Sequence, residues 1–235
     1  MKAKIRVPFF EIGIKNYVYG DQVLEVARAA EEASIKYDID VMLITPYTEI
    51  RRVSEKCRKL IVLAPYMDTL HPGRGIADVL PEAILAAGAK GVVINHCERP
   101  MTLSAVKQTI DRANELDLLS FVCADSISEA RAIALFHPDI INPEPTELIG
   151  SGKSCSMEYV MQSINVIKEV SGDILIEQAA GISNCQQVYD FIFAGAEGIG
   201  MASGIFKAPD PLKMIDEAIA NVRRAFNDRQ KSGLK

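Results

Sequence analysis

The sequence predicts an α/β fold in which eight parallel strands close into a (β/α)8 barrel. Eight short apolar runs recur along the 235 residues, and most of the segments between them have helical periodicity. The runs are continuously apolar rather than alternating, which marks strands buried on both faces of a parallel sheet. A doubly wound open sheet is the alternative with the same element pattern. No G-x-G-x-x-G follows the first run, so the strongest reason to prefer that alternative is missing. No Pro/Gly/Ser-rich linker divides the chain, so a single domain over 1–235 is expected.

The elements follow in order. The first run is "FFEIGI" (9–14), followed by "IDVMLI" (39–44) and "LIVLA" (60–64). In the third unit "DTLHPGRGIADVLPEAILAAG" reads as a long loop before a short helix. After "GVVIN" (91–95), Thr102 caps a helix whose Leu103, Val106, Ile110 and Ala113 share one face. After "LLSFVCA" (118–124), Ser126 and Glu129 have capping-box spacing. "DIIN" (139–142) precedes a glycine-bounded segment and the helical "MEYVMQSINVIKEV". After "DILIEQA" (173–179), Ser183 and Gln186 again have capping-box spacing, and Gly195 ends that helix. The last run is "GIGMA" (198–202), and Asp210-Pro211 opens the final helix. Its end, "RRAFNDRQKSGLK", reads as a fraying helix terminus rather than a binding tail.

Composition narrows the function classes. A net charge of −5 weighs against nucleic acid or an anionic membrane as partner. No apolar run approaches the roughly 20 residues of a membrane span. The start lacks the apolar core and cleavage site of a signal peptide, so a cytoplasmic location is expected. Five cysteines, an odd number with no C-x-x-C, read as reduced thiols and support neither a zinc site nor a disulfide framework.

In a barrel the active site lies at the C-terminal ends of the strands. Lys15 follows the first run; Asn95, His96 and Glu98 follow the fourth; Glu144 follows the sixth. A cation, an imidazole and a carboxylate would thus meet on one rim. The small-residue turns "QAAGIS" and "MASGIF", each leading into a helix, would offer backbone N–H groups to an anion beside them. His71 and His137 lack such placement and read as structural or surface residues.

Five segments in order, "GIKNY", "NHCERPM", "EPTELIGSG", "AAGIS" and "ASGIFKAPDP", resemble the triosephosphate isomerase family, most closely its short archaeal-type branch. "LPEAILAAGAKGVVINH" resembles it too, so the likeness covers nearly the whole chain. The resemblance implies a TIM barrel and an aldose–ketose isomerase acting on a small phosphorylated sugar. It implies Glu144 as the proton-shuttling base, His96 as the neutral electrophile and Lys15 as the stabiliser of the enediolate and phosphate. Asn95 and Glu98 would support them. Pro145, Thr146, Glu147, Leu148, Gly150, Ser151 and Gly152 would form a closing lid. Main-chain groups near Ile149, Gly181, Ala202 and Ser203 would bind the phosphate. No metal or organic cofactor is implied, and the family assembles as homo-oligomers, dimers or tetramers.

Departures from the family pattern fall on or near this rim. Gly13 replaces a substrate-touching asparagine; Ile76 and Ala77 stand where a Thr-Gly crosses the subunit interface, with Arg74 nearby. Ala179 replaces the first glycine of the phosphate turn, and Thr146 the second hinge proline. Three readings follow: interconversion of glyceraldehyde 3-phosphate and dihydroxyacetone phosphate; the same chemistry on a four-carbon ketose phosphate, for which Gly13 makes room; and a non-catalytic barrel that binds a sugar phosphate.

Overall fold

The computed structural model describes residues 1–233, and in it eight strands close into one barrel in sequence order, each neighbouring pair parallel. They are β1 (Phe9–Gly13), β2 (Asp40–Ile44), β3 (Ile61–Ala64), β4 (Gly91–Ile94), β5 (Leu119–Ala124), β6 (Ile140–Pro143), β7 (Leu175–Gln178) and β8 (Gly198–Met201). Each lies within or at most one residue beyond its predicted run. The seventh is the most shortened, because Asp173 and Ile174 precede the ladder and Ala179 begins the turn after it.

The helices are α1 (Asp21–Tyr37), α2 (Ile50–Lys56), α3 (Pro81–Ala86), α4 (Leu103–Glu115), α5 (Ile127–Ala134), α6 (Met157–Val170), α7 (Cys185–Ala194), the single turn α8 (Ser203–Phe206) and α9 (Pro211–Ser232). Thr102 accepts from the Ala105 amide at 3.2 Å, and Asp210 from Lys213 at 3.0 Å, with Pro211 in the first turn. Gly195 closes α7 through its N–H to Phe191 and Ile192. Two caps differ from expectation. Ser126 does accept from Glu129, but the Glu129 carboxylate turns to the Asp125 amide at 2.7 Å and to Asn95 at 3.1 Å. At α7 the cap is Asn184, one residue later than predicted. The turn after β7 runs one residue further, so Asn184 accepts from the Gln187 amide while the Gln187 side-chain carbonyl takes the Ser183 amide. The C-terminal segment is regular helix through Ser232, with Gly233 as its left-handed cap. Of the segment 223–235 that the sequence reads as a fraying end, Leu234 and Lys235 lie outside the described residues. Among the described residues no helix is long and apolar enough to cross a membrane.

Two cores result from the period-2 strand geometry. One lies between sheet and helices and holds Phe10, Ile12, Val41, Leu43, Val92, Ile94, Val122 and Ile199. The other fills the barrel interior with Phe9, Met42, Leu63, Val93, Phe121, Cys123 and Ile140. Along β1 the alternation sends Phe9 inward and Phe10 and Ile12 outward. It therefore puts Glu11 and Gly13 on the interior side as well, and both line the cavity above. Full burial of a ring such as Phe9 stabilises the barrel base by about 3 kcal/mol.

Candidate functional site

The C-terminal ends of β1, β4 and β6 surround a cavity of about 590 Å³, within the range that small-molecule sites occupy. Lys15, His96 and Glu144 all line it. Two residues beyond β1, Lys15 takes a left-handed φ of 47°, and Asn95, directly after β4, takes 60°. Side chains resist this region, at about 1 kcal/mol or more per residue. At Asn95 the cost is offset by a hydrogen-bond set. Its Oδ1 accepts from the Met101 amide at 2.8 Å, and its Nδ2 donates to the Cys123 carbonyl and Glu129, each at 3.1 Å. Asn95 is itself buried and thereby pins the loop that carries His96.

His96 accepts a hydrogen bond at Nδ1 from the Glu98 amide at 3.1 Å. An acceptor nitrogen carries no proton, so the neutral ring bears its proton on Nε2. Burial, then the nearby Lys15 charge, push the imidazole below its usual pKa, which keeps it neutral. For Lys15, burial works against the charge. The hydrogen bond to Glu98 at 3.1 Å and the charges of Glu98 and Glu144 outweigh it, and the ammonium is held above its usual range. Glu144 follows β6 with its amide bonded to the Ala124 carbonyl at 2.8 Å, an extension of the β5–β6 ladder that fixes its backbone. Burial raises its carboxyl to about 7, with Lys15 pulling the other way and Glu98 and Asp125 adding to the rise. A carboxyl poised there gives and takes protons near neutrality.

After Glu144 the chain makes a short 3-10 turn (Thr146–Leu148) following Pro145 and then passes through left-handed Gly150 and Gly152. Ser151 closes the loop with its hydroxyl donating to the Leu148 carbonyl at 2.7 Å. Ile149 and Gly150 line the main cavity. Pro145, Glu147 and Leu148 face a smaller outer hollow with Asp125, Cys155 and Tyr159. The inner end of this segment rests on the turn after β7. Gly181 has φ 68°, and a Cβ there would run into the carbonyl of Lys153, with that of Leu148 close by at 3.1 Å. Only glycine fits that conformation and that approach. Ala179 has no positive φ, so the alanine there is accommodated without backbone strain. Ala202 and Ser203 open the turn α8 beside the turn after β7, close enough that a Cβ on Gly204 would meet the Ile182 carbonyl, and the first-turn N–H groups of α8 have no intrahelical acceptor.

Gly13 also lines the cavity, but the space it leaves is partly taken. A Cβ there would lie 3.3 Å from Glu11 Oε1 and 3.5 Å from Ala202. Ile76 stands away from the cavity at the tip of the loop after β3, 94% exposed, beside Ala77 at φ 68°. Of the residues singled out in the sequence, Asn95 and the lid residues Pro145, Thr146, Glu147, Leu148, Ser151 and Gly152 do not line the cavity, and Asn95 acts on it through His96.

Sequence reasoning missed other lining residues. Arg99 stacks on the Tyr66 ring at 3.9 Å on the cavity wall. Asn142 donates to Glu144 at 3.4 Å. Glu11 lies on the floor. Glu11 and its neighbour Glu177 had a sequence signal: each is a carboxylate inside a run otherwise apolar enough to be buried on both faces. The Arg99–Tyr66 pair had none, because its residues lie in loops after different strands.

A sequence model of the family described as Triosephosphate isomerase matches residues 9–218. A curated triosephosphate isomerase of Sulfurisphaera tokodaii is 37% identical over 232 residues, covering 97% of this chain and 100% of that protein. One from Saccharolobus solfataricus is 33% identical over 95% of this chain and 100% of its own length. One from Methanothermus fervidus is 31% identical over 92% of this chain and 99% of its own.

Proposed function

Since the chain belongs to the triosephosphate isomerase family, whose members are aldose–ketose isomerases acting on a sugar phosphate, we propose that its cavity interconverts dihydroxyacetone phosphate and glyceraldehyde 3-phosphate. The observation that carries this is one cavity lined by a carboxyl poised near neutrality, a neutral imidazole with its proton on Nε2, and a lysine held cationic.

Glu144 takes a proton from C1 of the ketose. As charge gathers on the C2 oxygen, His96 Nε2–H donates to it, and Lys15 stabilises the enediolate electrostatically. Glu144 then returns the proton to C2, the C2 oxygen keeps the proton given by His96, the C1 hydroxyl gives its proton back to Nε2, and the aldehyde forms at C1. The reaction is a net transfer of hydrogen between adjacent carbons and consumes no other reactant. The phosphate is held by N–H groups near Ile149, Gly181, Ala202 and Ser203. Residues 145–152 act as a lid that excludes water, which keeps Glu144 basic and the enediolate from losing its phosphate.

Glu144→Gln tests this reading. The amide keeps shape and loses the base, so kcat should fall about 10³-fold or more with substrate binding retained. An isomerase activity that survives the substitution overturns the mechanism. Binding of the sugar phosphate with no turnover by the unsubstituted protein would leave a non-catalytic binding barrel. We also read the chain as a homo-oligomer, supported by the family and by the exposed Ile76, a large apolar side chain at a loop tip. Ile76→Asp should lower the mass measured in solution; a monomeric wild type at micromolar concentration refutes this.

A further inference from the structure

Beneath the rim lies a polar arc that the proton transfer itself does not use. Glu11 on β1 and Glu177 on β7 both enter the barrel interior, on strands separated only by β8. Ile176 packs in the outer core and Gln178 donates to Ser163 on α6 at 3.0 Å, so Glu177 between them faces inward. Glu11 pairs in register with Gly200 of β8, and a Cβ on Gly200 would overlap both carboxyl groups. The two acids therefore meet in the space that a side chain at Gly200 would fill. On the other side of Glu177 stands Asn142. The β6–β7 ladder pairs Ile140 with Leu175 and Ile141 with Ile176, and one step further along it Asn142 comes beside Glu177. Ile140 packs in the barrel interior, so the period of 2 sends Asn142 inward too, and it lines the cavity with Glu11. Asn142, Glu177 and Glu11 thus span four adjacent strands of an interior that is otherwise mainly apolar.

All three are more than nine-tenths buried, at 4%, 0% and 5% exposure respectively. Asn142 Oδ1, both carboxyl oxygens of Glu177 and Glu11 Oε1 have no hydrogen-bond partner. Unpaired buried groups destabilise a fold, so an apolar arc of the same shape would be more stable. Local rules broken in this way mark functional sites. Burial first, then the charges of neighbouring carboxylates, hold both acids well above their usual range. At least one proton therefore resides on the pair, and the arc holds an O–H donor as well as acceptors. Its upper end touches the base. Asn142 Nδ2 donates to Glu144 Oε2 at 3.4 Å, and among the described residues this is the only side-chain hydrogen bond that Glu144 receives. An amide can face either way. With its NH2 turned to Glu144 it shows its oxygen to the acids, which is favourable only over a donor. Fully ionised acids would attract the NH2 instead and turn the oxygen on Glu144, which repels a carboxylate.

We propose that Asn142 is a positioning residue for the base, its amide oriented by the Glu11–Glu177 pair so that Nδ2–H aims the Glu144 carboxylate at the reacting carbon. This rests on the isomerase reading of the rim and deepens it. A bond of 3.4 Å is long, and such bonds tighten as the substrate complex forms. The donor also favours the ionised base, so its loss moves the titration of Glu144 further up. The other groups facing that carboxyl are Lys15 from β1, Cys97 and Glu98 from β4, Cys123 and Asp125 from β5, Cys155 and Tyr159 at the start of α6, and the acid pair below. All of them stay in place when Asn142 is replaced.

The test is kcat and KM on dihydroxyacetone phosphate as a function of pH, with thermal unfolding, for the wild type, Asn142→Ala, Glu177→Leu, Glu177→Gln and the double variant Asn142→Ala/Glu177→Leu. In Asn142→Ala the acid limb of kcat/KM should move to higher pH, and kcat on the alkaline plateau should fall about tenfold with KM little changed, because the ionised base is no longer aimed. A merely structural role would leave the limb in place. Glu177→Leu removes the donor below Asn142 and should lower kcat to a similar degree while raising the melting temperature, since apolar packing replaces an unpaired buried acid. Glu177→Gln, whose amide still donates to Oδ1, should keep most of kcat. The double variant should lose no more than Asn142→Ala alone. An unmoved acid limb in Asn142→Ala refutes the bond to the base. Unchanged kcat in Glu177→Leu, or losses that multiply in the double variant, refute its orientation by the acids. Each of these leaves the isomerase intact, whereas no turnover by the wild type overturns both readings.

Discussion

Replacing Glu144 by glutamine should change the pH dependence of stability as well as activity, and the two effects have a common cause. Burial sets the native carboxyl at about 7 against an ordinary value of 4.5. Below pH 4.5 the group is protonated in both folded and unfolded chains and contributes no pH dependence. Between 4.5 and 7 the unfolded chain has released the proton while the folded one keeps it, so each pH unit removes about 1.4 kcal/mol of stability. Above 7 both forms are ionised, and the folded state carries a penalty of about 3 kcal/mol. Glutamine cannot ionise and abolishes this term. Lys15 and Asn142 favour the charged form, while Glu98 and Asp125 oppose it. Glu11 and Glu177 below it, and the thiols of Cys97, Cys123 and Cys155, are also coupled to it and remain in both proteins. Urea unfolding of wild type and Glu144→Gln from pH 4 to 8.5, at fixed protein concentration, reads the difference directly. The glutamine protein should gain about 3 kcal/mol on the wild type across that range. In parallel, wild-type kcat/KM should drop tenfold per pH unit below about 7, because the base is lost as it protonates. A stability difference flat with pH, together with activity undiminished at pH 5.5, refutes a Glu144 raised by burial.

Gly181→Ala should raise KM several-fold and lower stability by about 2 kcal/mol, since its Cβ meets the Lys153 carbonyl and its φ is left-handed; thermal unfolding and steady-state kinetics check both. Asn95→Ala removes three hydrogen bonds and puts alanine at φ 60°, so urea unfolding should show a loss of about 3 kcal/mol, with kcat falling because His96 is no longer held. Gly200→Ala should destabilise by about 2 kcal/mol through overlap with Glu11 and Glu177, and a second change of Glu177→Ala should recover much of it.

The sequence by itself determined the barrel, its strand order and the rim. Buried parallel strands must be apolar along their length, and helices must show their buried face every three to four residues, so both patterns are written locally. Lys15, His96 and Glu144 were visible for the same reason: each directly follows a strand or lies two residues beyond one, and closure brings strand ends together. The sequence does not separate Asn184 from Ser183 as the cap of α7, because both are good acceptors, and only the path of the turn chooses between them. Three matters were decided by the tertiary structure alone. The tautomer of His96 depends on the amide of Glu98 reaching Nδ1. The shift of Glu144 depends on burial among charges from three other strand ends. The meeting of Glu11 with Glu177 across Gly200 joins residues far apart in the chain, and which of their neighbours leaves room is a property of barrel closure and register. Hydrophobic pattern is a property of one segment, whereas proximity, and with it proton affinity and pocket shape, belongs to the closed barrel.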